Sequence, residues 1–596
     1  MHFATRSLLR IFALGGLLVA PTSAQHIPTG QAESGQPARS TRGTGPAAGR
    51  SAARRAARRA VPKAPAALAA EWSGRHVEHL LNRAGFGATS AEVRRWTEAG
   101  PDALVDSLFA DYPTLARFPH EKHSVDRRKL IGASEETRRK LINAERRADR
   151  DQTRDFVDWW TTRMAAGEDP LVERMTLFWH GHFTSSARTV RRSAPMIRQN
   201  DKLRRHALGS FEDLLADMLV DPALLIYLDN DANKKSSPNE NLAREVMELF
   251  TLGVGNYSET DVTEAARALT GYTIGDQEFL FRKSNHDQGR KEILGIRGRH
   301  DAKDLAEILL AQPACAEHLA GRIIEYFEGL PPAPERVQIF AHILREADYE
   351  IGVMVRALLL DLDFYSPDVI GAKVASPVDF VIGTCRRLGI QPSGDVLNLA
   401  TTILGQQLLS PPNVKGWEGG MAWLTTASMM QRGNLAGALL GVVEREDVYA
   451  DDEALAALGD IDELDEVLMD GMLSMDEVME SMEEGEMQTD TLRSLSISQL
   501  LRAMRRRGYE AQFSLVDALQ PVLHGSDEEV VAALSAKLLA IEPPAETRAM
   551  LVRNLAKERA ERDLAEGAMA SDRRRSEYLL RRLAHLILSL PEAQLG

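Results

Sequence analysis

Residues 239–272 read NENLAREVMELFTLGVGNYSETDVTEAARALTGY. Leu242, Val246, Leu249 and Phe250 recur at the three- and four-residue spacing of a single helix face, and Gly253 is the kind of residue that ends such a helix. Ser258-Glu259-Thr260-Asp261 is a capping box, in which a hydroxyl and an acid three residues later satisfy the first free amides of a second helix, VTEAARALTGY. Two helices joined by a short glycine-marked turn set the pattern for the sequence on either side.

Toward the N-terminus, Val77, Leu80 and Leu81 give another helical stripe, Gly85-Phe86-Gly87 breaks it, and Thr89-Ser90-Ala91-Glu92 caps the next helix. Toward the C-terminus, helical patterns run over Ala316–Phe327, Pro334–Ala347, Gly352–Leu360, Val378–Leu388 and Val396–Leu404. Long alternating strands are lacking. The cluster of Tyr, Thr, Ile and Phe between glycines in 271–298 allows at most a small β-hairpin. The expected fold class is mainly α, a multi-helix globular body with a disordered N-terminal tail.

At 596 residues the chain is too long for one ordinary core. Its 44% hydrophobic and 27% charged residues are those of a soluble globular protein. The formal charge of −14 argues against general nucleic-acid affinity, but the charge is unevenly spread. Residues 25–70 carry a net +7 and residues 444–490 a net −18, so the rest is nearly neutral. Residues 1–24 read as a secretory signal: Arg6 and Arg10, then the apolar run IFALGGLLVA, then small residues. That run is too short to span a membrane, and no later segment reaches 18 uninterrupted apolar residues. Residues 25–70 form a basic Ala/Arg/Pro-rich tether with too little apolar surface to fold, suited to a solvated spacer or to adhesion to anionic material. Residues 71–443 make the helical body, 444–490 an acidic Met-rich insertion, and 491–596 the C-terminal helices that complete the body. In the insertion, Met469, Met472, Met475, Met479 and Met482 recur at helical spacing, while the frame around Gly471 has Leu468 where a calcium ligand belongs and fails as an EF-hand. Cys315 and Cys385 are the only cysteines, open to a single disulfide or to two buried thiols.

Chemistry is sought first in His180-Gly181-His182, His286-Asp287 and the carboxylates of the 239–250 helix, because imidazole and carboxylate are the usual ligands of zinc, iron or manganese. Residues two apart on a helix diverge by about 200°, so His180 and His182 share a divalent transition metal only if Gly181 breaks the helix. Asn241, Glu245 and Glu248 share a helix face, with His182, Glu245 and Glu248 as candidate catalytic groups and His180, His182, His286 and Asp287 as candidate metal ligands. Arg244 and Glu248 are also spaced for an i,i+4 ion pair, and buried polar residues that fix helix packing are the plainer alternative. The loop PPNVKGWEGG (411–420) offers Asn413, Trp417 and, just beyond it, Trp423 as a wall for a sugar ring or peptide; the alternative is that its tryptophans simply pack it onto the body. No GxSxG elbow occurs, and Asn82–Gly87 follows a helix and lacks the glycine pattern of a phosphate-cradling loop.

HLLNRAGFGAT (79–89), ERMTLFWHGHFTSS (173–186), the 239–272 stretch, HDQG with KEILG (286–295), SPPNVKGWEGGMAWL (410–424) and LILSLPEAQL (586–595) together resemble the bacterial family called domain of unknown function 1800. The resemblance covers roughly 75–445 and the last helix, leaving out the tether and the insertion. It implies a large, exported, bacterial and functionally uncharacterised protein, often encoded beside a sulfatase-like exported protein that would be a partner. Two functions fit these expectations. One is an exported protein, periplasmic, cell-surface or secreted, that binds or helps assemble envelope or extracellular polymers or proteins. The other is a metal-dependent hydrolase acting on polysaccharide or cell-wall material. Whether the chain is an enzyme is open at this point.

Overall fold

The computed structural model describes residues 62–110, 116–125, 127–442 and 495–596. The residues expected to form a signal, the tether as far as residue 61 and the acidic insertion lie outside the described residues. Within them the chain forms twenty-five α-helices and two antiparallel hairpins, β1 (Tyr272–Gly275) with β2 (Glu278–Phe281) and β3 (Lys291–Ile293) with β4 (Ile296–Gly298). The mainly α expectation holds, with two small hairpins where one was allowed. Left-handed Asp276 and Gln277 turn the first hairpin, and Leu294-Gly295 the second.

The expected caps form. Thr89 with Glu92, and Ser258 with Asp261, make reciprocal capping boxes, and both serve helices that start where the sequence places them. Part of the stretch expected to be tether is folded. Residues 62–70 belong to the body rather than to the tether: a helix runs over Ala66–Glu71, Leu68 is buried in the core, and the Ala64 amide donates to Asp102 at 2.8 Å. One leucine with flanking alanines is enough here because neighbouring helices supply the rest of the apolar surface.

The apolar side chains form two cores. The first gathers helices from Gly74–Ala84 to Ile351–Leu359; the second gathers half of the long Glu135–Ala166 helix, Pro377–Leu388, Gly394–Ile403, Thr426–Leu440 and the C-terminal helices. Cys315 lies in the first and Cys385 in the second, so each is a free buried thiol and no disulfide joins them. Burial pushes both thiols up to about 12, which keeps them protonated and inert.

The Pro170–His182 helix serves both cores. Leu171, Met175, Phe178 and Trp179 face the first, and Leu177 faces the second. Its only fully buried carboxylate, Glu173, accepts from Trp160 Nε1 at 2.9 Å, Arg163 Nε at 3.0 Å, and Arg204 Nε and Nη2 at 2.9 and 3.0 Å. Three helices are thereby tied at one point, which brings the C-terminal end of this helix, His180-Gly181-His182, to the seam between the cores.

Candidate functional site

Three stretches singled out in the sequence meet at that seam. The Pro170–His182 helix continues through Gly181, so the two imidazoles diverge. His180 Nε2 accepts the Leu409 amide at 3.2 Å, and its ring lies against Trp160 and Trp417. Leu409 is held in the left-handed region (φ 61°), with its carbonyl accepting the Ala187 amide at 2.8 Å. Both backbone groups of this strained leucine are therefore used, and it launches the 410–424 loop. Gly416 (φ 77°) then settles on the histidine turn so closely that a Cβ there would sit 2.6 Å from the Gly181 carbonyl. Trp417 packs against the second core, so half of the packing alternative for this loop is realised; Trp423 is half-exposed and Asn413, exposed, caps the Lys415 amide at 2.9 Å.

His182 turns the other way. It stacks on Phe178, and its Nε2 donates to the Phe250 carbonyl at 3.0 Å, while His318 Nε2 donates to the Leu249 carbonyl at 2.9 Å. These carbonyls belong to a π-helical turn, Val246–Thr251, that continues the Asn241–Glu245 helix. A π-turn leaves its carbonyls poorly matched to the usual i+4 amides, and two imidazoles supply donors instead. Burial holds His182 well below the ordinary histidine range and brings His180 down to about 4, so both are neutral packing groups at physiological pH.

The expected metal centre is corrected on these contacts. His180 and His182 point apart because Gly181 does not break the helix. His286 Nδ1 donates to the Thr270 carbonyl at 2.8 Å, and Asp287 accepts from Arg267 Nε at 2.8 Å, so this pair staples the strand region onto the Glu259–Ala268 helix. Among the described residues no three His, Cys, Asp or Glu side chains are arranged to hold a metal ion. The expected Arg244–Glu248 pair is also replaced. The π-turn shifts the register, Arg244 pairs with Glu259 and Glu240, and Glu248 accepts the Tyr257 hydroxyl at 2.8 Å.

Glu245 and Glu248 remain together, half-buried on the outer side of this turn. Burial, reinforced by the charge of Glu248, raises the Glu245 carboxyl above its ordinary range, and Lys415 of the glycine-rich loop partly opposes this. The folded chain therefore holds the Glu245 proton more tightly than the unfolded chain. That contribution to stability is present at low pH and is lost as pH rises through the raised value. Glu245→Gln is expected to match the wild-type urea midpoint at pH 4 and to exceed it at pH 7; a midpoint that falls relative to wild type between those pH values contradicts the assignment.

The chain that leaves His182 builds a second feature. Between the Glu135–Ala166 helix and the turn over 187–193 lies a groove of about 710 Å³ lined by Lys140, Arg146, Arg147, Arg150, Arg191 and Arg192 against two carboxylates, Asp149 and Asp151. Asp149 is consumed internally, accepting the Ser193 amide and hydroxyl and Arg192 Nη1. Asp151 pairs outward with Arg154, and Arg192 is further neutralised by Glu145 at 2.7 Å. Arg146, Arg147, Arg150 and Arg191 pair with no carboxylate among the described residues. The sequence carries no plain mark of this groove, because Glu145, Asp149 and Asp151 alternate with the arginines along the helix.

A family model described as protein of unknown function (DUF1800) matches residues 79–595. No curated protein and no solved structure matches.

Proposed function

The chain belongs to the DUF1800 family of proteins of unknown function, and we propose that it is an exported protein that binds a negatively charged envelope or extracellular polymer in its arginine-lined groove. The observation that carries this reading is the uncompensated charge of Arg146, Arg147, Arg150 and Arg191 in one open groove. Guanidinium groups matched to no internal acid are free to make bidentate contacts with carboxylate, sulfate or phosphate. Lys140, which also pairs with Glu136 at 2.7 Å, and Arg150 stand about 15 Å apart along a helix, a span suited to consecutive acidic units rather than to one small anion. The signal reading of residues 1–24 supports the compartment, and the net +7 of residues 25–70 has the same sign as the groove.

Alginate, a polyuronate, serves as probe and neutral dextran as control. The full chain should bind alginate with an affinity that falls as salt rises. Arg146→Gln, Arg147→Gln and Arg150→Gln together should weaken it about 10- to 100-fold, since each exposed pair contributes about 0.5–1 kcal/mol. Unchanged affinity in the triple variant refutes the groove.

A second reading rests on the Glu245–Glu248 pair. One carboxyl held above its ordinary range beside another that accepts a tyrosine hydroxyl is an arrangement suited to acid–base hydrolysis of a glycosidic bond without a metal. Release of reducing ends that stops in Glu248→Gln supports it; binding with no such release favours the binding reading alone.

A further inference from the structure

Strand β2 reads Glu278-Phe279-Leu280-Phe281 and pairs on one side only, with β1. Leu280 is registered with Thr273, and the Arg282 amide donates to the Gly271 carbonyl at 2.8 Å, so the backbone groups of Leu280 and Arg282 turn toward β1. These groups alternate along an antiparallel strand, which points those of Phe279 and Phe281 to the open side. They meet no partner beyond the hairpin among the described residues. The far side of β1 is closed by contrast, with Asn230 Nδ2 donating to the Tyr272 carbonyl at 3.0 Å.

Proteins usually blunt such an edge with a proline, a lysine or a bulge. This strand carries none of them. Phe279, Leu280 and Phe281 are 36%, 41% and 42% exposed. The two phenylalanines share a face with Tyr272, their ring centroids 5.6 and 5.1 Å from its own. Leu280 lies on the opposite face, where a Cβ on Gly275 would sit 3.2 Å from its Cδ2. The edge is therefore apolar on both faces.

The flanking charges say which chain fits it. Glu278 and Arg282 stand two residues on either side of Leu280. Arg282 is exposed and pairs with no carboxylate among the described residues, while Glu278 meets Arg198 at 3.1 Å and stays exposed. Outward-facing residues must pair with outward-facing residues, so two antiparallel copies can join Phe279 to the partner's Phe281 at both ends. That register is centred on Leu280 and sets Glu278 opposite the partner's Arg282 twice. Parallel pairing in register would set like charges together instead.

We propose that β2 is a self-association edge, along which two copies of the chain pair antiparallel about Leu280 into one four-stranded sheet. Four N–H···O bonds and two Glu278–Arg282 ion pairs hold it, between apolar faces that pairing partly covers. The edge shares no residue with the polymer-binding groove.

Sedimentation equilibrium of the full chain from about 1 to 300 µM reads the association. Short edges bury less than a standard interface, so a dissociation constant on the order of 10–100 µM is expected. Glu278→Arg alone, or Arg282→Glu alone, sets like charges together at both ends and should weaken the dimer about 10- to 100-fold. An equimolar mixture of these two variants has opposite charges at both ends again and should dimerise as wild type does, a rescue that misfolded variants could not give. A wild-type chain that stays monomeric across the range overturns the proposal and leaves the edge to a different chain. A dimer that both single variants retain, or a mixture that stays monomeric, overturns it equally.

Discussion

Glu173→Ala should cost about 3–5 kcal/mol, read as a lower urea midpoint of the full chain. Glu173 is 0% exposed and is the shared acceptor of Arg163, Arg204 and the Trp160 indole. Removing it leaves the buried Arg204 with only Asp201, at 3.5 Å, and Arg163 with the more exposed Asp169 and Glu168. The cost is therefore mainly that of burying a guanidinium without its partner rather than of losing packed atoms. It is a large part of the 5–15 kcal/mol that holds a typical domain together. Glu307→Ala, which removes one side of a loose surface contact with Lys303, should leave the midpoint unchanged. Similar midpoints for the two variants would show that Glu173 does not bear the load assigned to it.

Gly416→Ala should release the 410–424 loop. A side chain at φ 77° costs about 1–2 kcal/mol, and its Cβ would overlap the Gly181 carbonyl, adding about 1–3 kcal/mol. The histidine turn belongs to a helix pinned by Glu173 and cannot yield, so the loop gives way. The expected signature is local: faster hydrogen exchange over 411–424 and a red-shifted, more quenchable Trp417, with little change in the global midpoint. Gly419→Ala also has positive φ (75°) but meets nothing within 4 Å, and should disturb the loop less. Equal exchange in Gly416→Ala and wild type contradicts the close approach.

Legibility in the sequence followed the range of the interaction. Helix positions and the two capping boxes depend on residues three or four apart, and Thr89–Glu92 and Ser258–Asp261 form as read. Departures arise where a distant partner decides. A break at Gly181 is the condition for the two histidines to converge, but Phe178, Trp179 and His182 are well packed and the helix runs through it. Glu248 reads as the partner of Arg244 until the π-turn, whose carbonyls are satisfied by His182 and His318 from elsewhere in the chain, changes the phase. His286 and Asp287 look like ligands, and Thr270 and Arg267 claim them. Asp149 stands beside arginines of its own helix, yet its acceptor capacity is taken by Arg192 and Ser193, more than forty residues on. That one long-range choice leaves the groove cationic.

The central claim is that the groove, and neither the tether nor the tryptophan loop, is where the polymer lies. Hydrogen–deuterium exchange of the full chain with and without alginate tests it directly. Protection should concentrate on residues 140–150 and 187–193 and should vanish in the triple arginine variant. Protection confined to the basic segment before residue 62, or to 411–424, would contradict it.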